Sequence, residues 1–164
     1  MRLLVTISGA RIEAVLAQVA ERVGRGADDE WLALHVTDTR PLEEASQLGG
    51  GLLGRGRRAA EMLERIRETA AAAAGRELAI ADAWLTAQGL RHQLLSRTGR
   101  PEREIIAAAA AERADLIALG AGLGANHGPG QHPLSPIARF VVDHALCDVL
   151  LLRPPDPDEA DWLT

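Results

Sequence analysis

The chain has no lysine and no tyrosine, one cysteine, and only three tryptophans and one phenylalanine in 164 residues. Each scarcity excludes something. A single cysteine, Cys147, forbids an intramolecular disulfide, and no Cys/His cluster has the spacing of a zinc site. Four aromatic residues cannot supply a row of platforms for stacking bases. Basic charge is short as well. From Pro154 onward the chain carries Asp156, Asp158, Glu159 and Asp161 and no base, which leaves 18 arginines against 19 acids (23 less 4) in residues 1–153, a net of −1. A nearly neutral body lacks the electrostatic footprint of a nucleic-acid binder, so no nucleic-acid partner is expected. Long apolar runs are missing too. The first one, Met1 to Ile7, stops at Ser8-Gly9, too short for the apolar region of a signal peptide. No run approaches the roughly 18 residues of a membrane span. The expectation is a cytoplasmic protein without membrane insertion.

What is present is an alternation of short apolar runs with helical patterns. Leu3 to Ile7 reads as a strand, and Ile12, Val15, Leu16, Val19 and Val23 follow helical spacing up to Gly24. Trp31 to Val36 is a second strand; both runs are apolar at nearly every position, as in a strand covered on both faces. Residues 39–55, with Gly49-Gly50-Gly51 near the centre, read as a mobile connection without an element of their own. From Gly56 to Gln88 the composition turns to Ala, Glu, Arg and Leu with one apolar face, as one long helix or as two broken at Gly75. Leu90 to Leu95 is a weakly patterned third strand and Thr98 to Pro101 a turn. Pro101 then opens a helix running to Arg113. Leu116 to Leu119 is a fourth strand feeding a Gly-rich loop. Ser135-Pro136 is an N-cap followed by proline at the first helical position, and Val149 to Leu152 is a fifth strand. This order predicts an α/β protein, a three-layer α/β/α sandwich around a five-stranded parallel sheet. Ligands of such sheets lie at the carboxyl ends of the strands where the strand order reverses, which directs attention to the loops after the first and fourth strands.

With these elements placed, residues 1–153 resemble the universal stress protein family. Leu3-Leu4-Val5-Thr6-Ile7-Ser8-Gly9 is similar to its first strand and Val-Asp-Gly-Ser turn, Leu34-His35-Val36 to its second strand, and Gly99-Arg100-Pro101 to its Gly-x-Pro helix entry. Ala114 to Gly120 resembles its Ala-Asp-Leu-Ile-Val-Met-Gly segment, and Pro136 to Leu151 its last helix and strand. The resemblance implies sheet order 3-2-1-4-5 of the adenine-nucleotide alpha-hydrolase-like type and a homodimer through the last strand, with Val149, Leu150 and Leu151. It also implies an ATP or AMP site. In nucleotide-binding members, the phosphates rest on a Gly-x-x-Gly, a spacer and a Gly-Ser or Gly-Thr that opens the last helix. There, glycines admit close backbone approach and the helix start supplies free N–H groups.

Here the pattern is degraded. Leu123 stands three residues after Gly120, with Gly122 and Gly124 on either side; the span to Ser135 is longer, and Ser135-Pro136 replaces Gly-Ser. Proline removes a donor from the helix start. The acid that meets the nucleoside in binding members is Ser8 here, and no base precedes Arg139 in the loop. The nucleotide site implied by the resemblance comprises Ser8, Gly9, Val36, Leu119, Gly120, Gly122, Gly124, Ser135 and Ile137, with Val36 and Leu119 as aliphatic walls for an adenine ring.

Other candidates carry blander readings. Gly120-Ala121-Gly122-Leu123-Gly124 lacks the immediate helix of a dinucleotide fingerprint. Ser8 has no neighbouring base and reads as a turn serine. His127 and His132, without a carboxylate, read as loop residues; His35 reads as a core or rim residue, and His144 as a complement to a helix dipole. Cys147 reads as buried and inert, and Arg55, Arg57 and Arg58 as a solvated helix start rather than an anion-contacting lid. The expected organisation is a stress-protein-like domain over 1–153 and an acidic tail over 154–164, carrying Trp162, that offers a surface to a protein partner. The expected function is a non-enzymatic, homodimeric stress-response or regulatory module without tight ATP binding and with no metal. The alternatives are an ATP- or AMP-binding member with an altered phosphate loop, and a regulatory partner of a membrane transporter or sensor kinase.

Overall fold

Strands β1 (Arg2–Thr6), β2 (Glu30–Asp38), β3 (Arg91–Gly99), β4 (Leu116–Gly120) and β5 (Asp148–Leu152) form one sheet in the computed structural model, all neighbours parallel, in the order β3-β2-β1-β4-β5. The structure describes residues 1–24, 26–48, 56–120 and 134–153. Alternate side chains of the central strands enter two separate cores. Leu3, Val5, Ile7, Trp31 and Ala33 pack beneath α1 (Ile12–Val23) and the end of α3 (Gly56–Ala87), through Leu16, Val19, Ala81 and Leu85. Leu4, Leu32, Leu34, Ile117 and Leu119 pack beneath α4 (Pro101–Ala111) and α5 (Pro136–His144), through Ile105, Ala108, Ala138 and Val141. Leu3, Leu4 and Val5 are all fully buried, which is why β1 shows no polar alternation. The strand order reverses between β1 and β4, so the crevice beyond their carboxyl ends is where this topology exposes backbone to a ligand.

Three sequence expectations are corrected. Residues 39–55 are not a structureless connection: α2 spans Arg40–Leu48, and residues 49–55 lie outside the described residues. The signal was present in Thr39-Arg40-Pro41. The Thr39 carbonyl accepts from the N–H groups of Leu42 and Glu43, and its hydroxyl donates to Glu43 Oε1 at 3.1 Å, while Pro41 occupies an early position where its missing N–H costs nothing. Second, β3 runs through the expected turn to Gly99, because β2 itself continues to Asp38 and holds its partner in register, Thr37 opposite Thr98 and Asp38 opposite Gly99. Third, Cys147 is half-buried, not buried, in the short link between α5 and β5.

The Gly56–Ala87 segment is one helix of 32 residues. Gly75 lies on an exposed face with nothing within 4 Å of where a Cβ would stand, so its low propensity weakens the helix without breaking it. The first buried residue described in α3 is Ala74, and α3 also contacts α2.

Candidate functional site

In a parallel sheet every strand ends, and every following helix begins, on the same side. That side carries a cavity of about 480 Å³ lined by Thr6, Ile7 and Ser8 of the β1 end, Val15 of α1, Leu34, Val36 and Asp38 of β2, Pro101 and Ile105 of α4, Leu119 and Gly120 of β4, and Ser135 and Ile137 at the start of α5. Its size falls within the few hundred to a thousand Å³ typical of small-molecule sites. Six of the expected site residues meet here: Ser8, Val36, Leu119, Gly120, Ser135 and Ile137. Gly9 follows Ser8 with φ +76°, the left-handed conformation that lets the chain turn from β1 into the 3-10 turn before α1. Gly122 and Gly124 lie outside the described residues, as do Asn126, His127, His132, Arg55 and the acidic tail with Trp162.

The walls are aliphatic. Leu34, Ile105 and Leu119 are buried and Val36 half-buried, so a flat ring entering the cavity meets branched side chains on its faces. Ser8 is extended (φ −163°, ψ 143°) and exposed, and its side chain makes no capping bond, which leaves its hydroxyl available to the cavity.

At the α5 end the donor supply is thin. Pro136 has no N–H, the Ala138 N–H donates to Ser135 Oγ at 3.1 Å, and the Arg139 N–H donates to the Ser135 carbonyl at 2.9 Å. Among the described residues, the Ile137 N–H is the one amide of that first turn without a protein acceptor. A helix start normally offers three or four such groups to an anion.

At the β2 end stands the one charged group among the described lining residues, Asp38. Its Oδ1 accepts from the Arg40 backbone N–H at 2.9 Å, and both oxygens accept from the Arg40 guanidinium, at 2.6 Å for the Nη2 contact. The Arg40 hydrogen bonds hold the Asp38 carboxyl below its ordinary pKa against the opposing effect of burial, and Arg100 adds to the lowering. The carboxylate is therefore charged and fixed in place. Sequence reasoning missed Asp38, Pro101 and Ile105. The β2 run was read as ending at Val36, two residues before the acid that reaches the cavity rim.

The remaining candidates fall elsewhere. His35 points to the opposite face of the sheet, buried, with its Nε2 3.4 Å from Glu77 Oε2 of α3. His144 stacks on Phe140 and its Nδ1 lies 2.8 Å from the Phe140 carbonyl, in the last turn of α5. Burial and the nearby Asp148 and Asp115 push the Cys147 thiol pKa up, away from the reactive thiolate. Arg57 and Arg58 are exposed, and Arg57 lies 3.7 Å from Glu61 one turn on. Among the described residues, no group of three or more His, Cys, Asp or Glu is placed to hold a metal ion, and no helix is long and apolar enough to cross a membrane.

Residues 1–153 match the family model described as the universal stress protein family. No curated protein sequence matches the chain. Among solved structures, a universal stress protein family protein from Arabidopsis thaliana with AMP bound shares 18% identity, covering 97% of this chain and 94% of its own, with a TM-score of 0.64. UspA from Lactobacillus plantarum shares 20% identity over 93% of this chain and 97% of its own, TM-score 0.58. The universal stress protein from Archaeoglobus fulgidus in complex with dAMP shares 22% identity over 92% of this chain and 96% of its own, TM-score 0.57.

Proposed function

The chain belongs to the universal stress protein family, and from that premise we propose that it is a non-catalytic regulatory module that takes an adenosine monophosphate-type ligand and does not hold ATP tightly. The observation that carries this reading is the polarity of the cavity. It is roomy and aliphatic, yet among the described residues it offers an anion one free first-turn amide and no cationic side chain. One amide and the positive end of a helix suit a single phosphate; a triphosphate needs several donors or a base to offset its charge. No described lining residue combines a nucleophile with an adjacent general base, which supports binding over turnover. Two of the similar structures are complexes with AMP and dAMP, monophosphates of the same class.

The protein acts in this reading as a homodimer. β5 is an edge strand whose Val149, Leu150 and Leu151 are half-buried, and beside it Leu146 is 99% exposed and Val142 exposed. A second copy pairing along this edge would cover it and the exposed Leu146 and Val142 beside it. Light scattering of the purified protein gives twice the chain mass if this holds, and Leu146→Asp shifts it toward the monomer.

Calorimetric titration tests the ligand reading. AMP binding in the micromolar to millimolar range, with ATP no tighter than AMP, is expected. Stoichiometric ATP released from the purified, denatured protein, or ATP binding far tighter than AMP, overturns it.

A further inference from the structure

A second cavity, of about 180 Å³, lies at the amino ends of β4 and β5, between the last turns of α4 and the link from α5 to β5. It is formed within one chain and shares no lining residue with the larger crevice. Its walls are Ile106, Ala109 and Ala110 of α4 and Ala145, Leu146 and Cys147 of the link. An apolar cavity of about 150 Å³ takes up a molecule the size of benzene, so this one admits a chain of about six carbons. Burial and the nearby Asp148 and Asp115 push the Cys147 pKa up, so the thiol in the wall stays protonated and brings no negative charge.

The one charged side chain among the described lining residues is Arg113, and its placement is unusual. α4 closes with two bonds, from the Ala114 N–H to the Ala109 carbonyl at 2.9 Å and from the Arg113 N–H to the Ala110 carbonyl at 3.2 Å. That closure holds Arg113 at φ +51°, the one positive φ of a non-glycine residue among those described. Glycine is the ordinary occupant of this position, because a Cβ makes the left-handed conformation costly. The acids on either side of Arg113 are engaged elsewhere. Glu112 Oε2 accepts from Arg2 Nη2 at 3.3 Å, and Asp115 Oδ2 accepts from the Arg2 backbone N–H at 2.6 Å. Among the described residues Arg113 makes no hydrogen bond or ion pair. The two closing bonds also satisfy carbonyls that would otherwise face an anion at the end of α4. An unpaired guanidinium, kept at a conformational cost beside an apolar cavity, has the fork of donors that a carboxylate matches.

We infer that this cavity binds a short aliphatic carboxylate, with a chain of about six carbons against α4 and the link and the carboxylate on the Arg113 guanidinium. Asp148 does not line the cavity, so a cationic head group would meet Arg113 instead of an acid.

The experiment is an amide-resolved NMR titration of the full chain with hexanoate, hexan-1-ol, hexylamine and acetate at matched ionic strength, with thermal unfolding of each variant. Hexanoate is expected to give saturable shifts at Ala109, Ala110, Arg113 and Cys147, with a Kd in the millimolar range for a ligand of about eight non-hydrogen atoms. Hexan-1-ol should bind about two- to fivefold more weakly, because the ion pair is solvent-exposed. Hexylamine should bind more weakly still, and acetate, too short to fill the cavity, should give no saturable shift. Arg113→Gly relieves the backbone, so its melting temperature should be unchanged or raised, while its hexanoate affinity falls to that of the alcohol. Arg113→Lys should keep a preference for the acid. Ala110→Leu, at an exposed helix position, fills the cavity and should abolish binding of both acid and alcohol. Absence of saturable shifts at these residues with millimolar hexanoate, hexylamine binding as tightly as hexanoate, an acid preference that survives Arg113→Gly, or undiminished binding to Ala110→Leu overturns the inference.

Discussion

At the amino ends of the strands the polar side chains are tied to one another across elements, whereas at the carboxyl ends they are held in pairs at the rim and leave a cavity between them. Arg2 on β1 reaches Glu30 of β2 at 3.0 Å and Glu112 beyond α4 at 3.3 Å, and also donates to the Glu112 carbonyl. Its backbone N–H donates to Asp115 Oδ2 at 2.6 Å, ahead of β4. Glu30 accepts in turn from Gln93 of β3 at 2.6 Å, and these bonds together with Arg2 hold its pKa down despite the opposing effect of burial. Four strands or their approaches are thus joined through one arginine and one glutamate. At the other end, Asp38 pairs with its near neighbour Arg40, and Arg100 ahead of α4 with Glu43 of α2 at 3.5 Å, contacts that shape the rim and join no strand to another across the crevice. One end of the sheet is built for cohesion. The other leaves the Ser8 hydroxyl and the Ile137 N–H facing a cavity.

The comparison fails first if the amino end is not where stability resides. Trp31, 1% exposed near the start of β2, anchors the core beneath α1 and α3. Trp31→Ala should destabilise the protein by about 3–5 kcal/mol, while Ser8→Ala at the carboxyl end should change stability by less than about 0.5 kcal/mol. Urea unfolding of both variants gives the two numbers, and similar losses would erase the distinction.

Arg2→Ala probes the network directly. It removes two half-exposed ion pairs and a bond to a carbonyl, so a loss of about 1–2 kcal/mol is expected after allowance for solvent screening. Affinity for AMP should not move, because Arg2 does not line the cavity. A variant of normal stability, or one with altered AMP affinity, would show that the two ends are not separate.

Pro136→Ala sharpens the carboxyl end. It restores an N–H at the first position of α5, beside the Ile137 amide, and should tighten AMP binding by about tenfold, equivalent to about 1.4 kcal/mol for one charge-assisted hydrogen bond. Unchanged affinity would place the phosphate somewhere other than at the α5 start.

Much of this division was legible in the sequence, and the parts that were not share a cause. The two-sided burial of β1 and β2 shows as unbroken apolar runs, and Ser135-Pro136 announces the α5 start, because both signals are local. Val36, Leu119, Gly120 and Ser135 were placed at the cavity by the family resemblance together with the rule for parallel sheets. Asp38 was missed because β2 was read as ending where its apolar run ends. The strand continues to Asp38 because β3 pairs with it residue for residue, a long-range effect with no imprint on the local pattern. The role of Arg2 was equally hidden: its partners Glu112 and Asp115 lie more than a hundred residues away. α2 was overlooked for another reason, since its short run carries a single half-buried apolar residue, Leu42, among those whose side chains are described, and only its helix-start chemistry betrays it.

The smallest predicted effect concerns how far the cohesive end depends on charge. His92, at the start of β3, has Nε2 2.8 Å from Asp82 Oδ1 on α3 and Nδ1 2.9 Å from the Leu90 carbonyl. Both partners are acceptors, so both ring nitrogens donate only in the imidazolium form. Burial alone is the largest single influence and lowers the pKa; the hydrogen bonds to Asp82 and Leu90 and the charge of Asp82 together outweigh it, and the net shift is upward. A group whose pKa is raised on folding contributes stability that is complete below its unfolded value, about 6.5 for histidine. That contribution fades as the pH rises through the folded value. His92→Gln should therefore destabilise more at about pH 5.5 than at about pH 9, with a difference below about 1 kcal/mol because Asp82 is largely exposed. Asp82→Asn should abolish the pH dependence of that difference. Equal losses at both pH values would mean that His92 holds β3 to α3 by packing and neutral hydrogen bonds alone, and that the charge-stitched end of the sheet stops at Glu30 and Gln93.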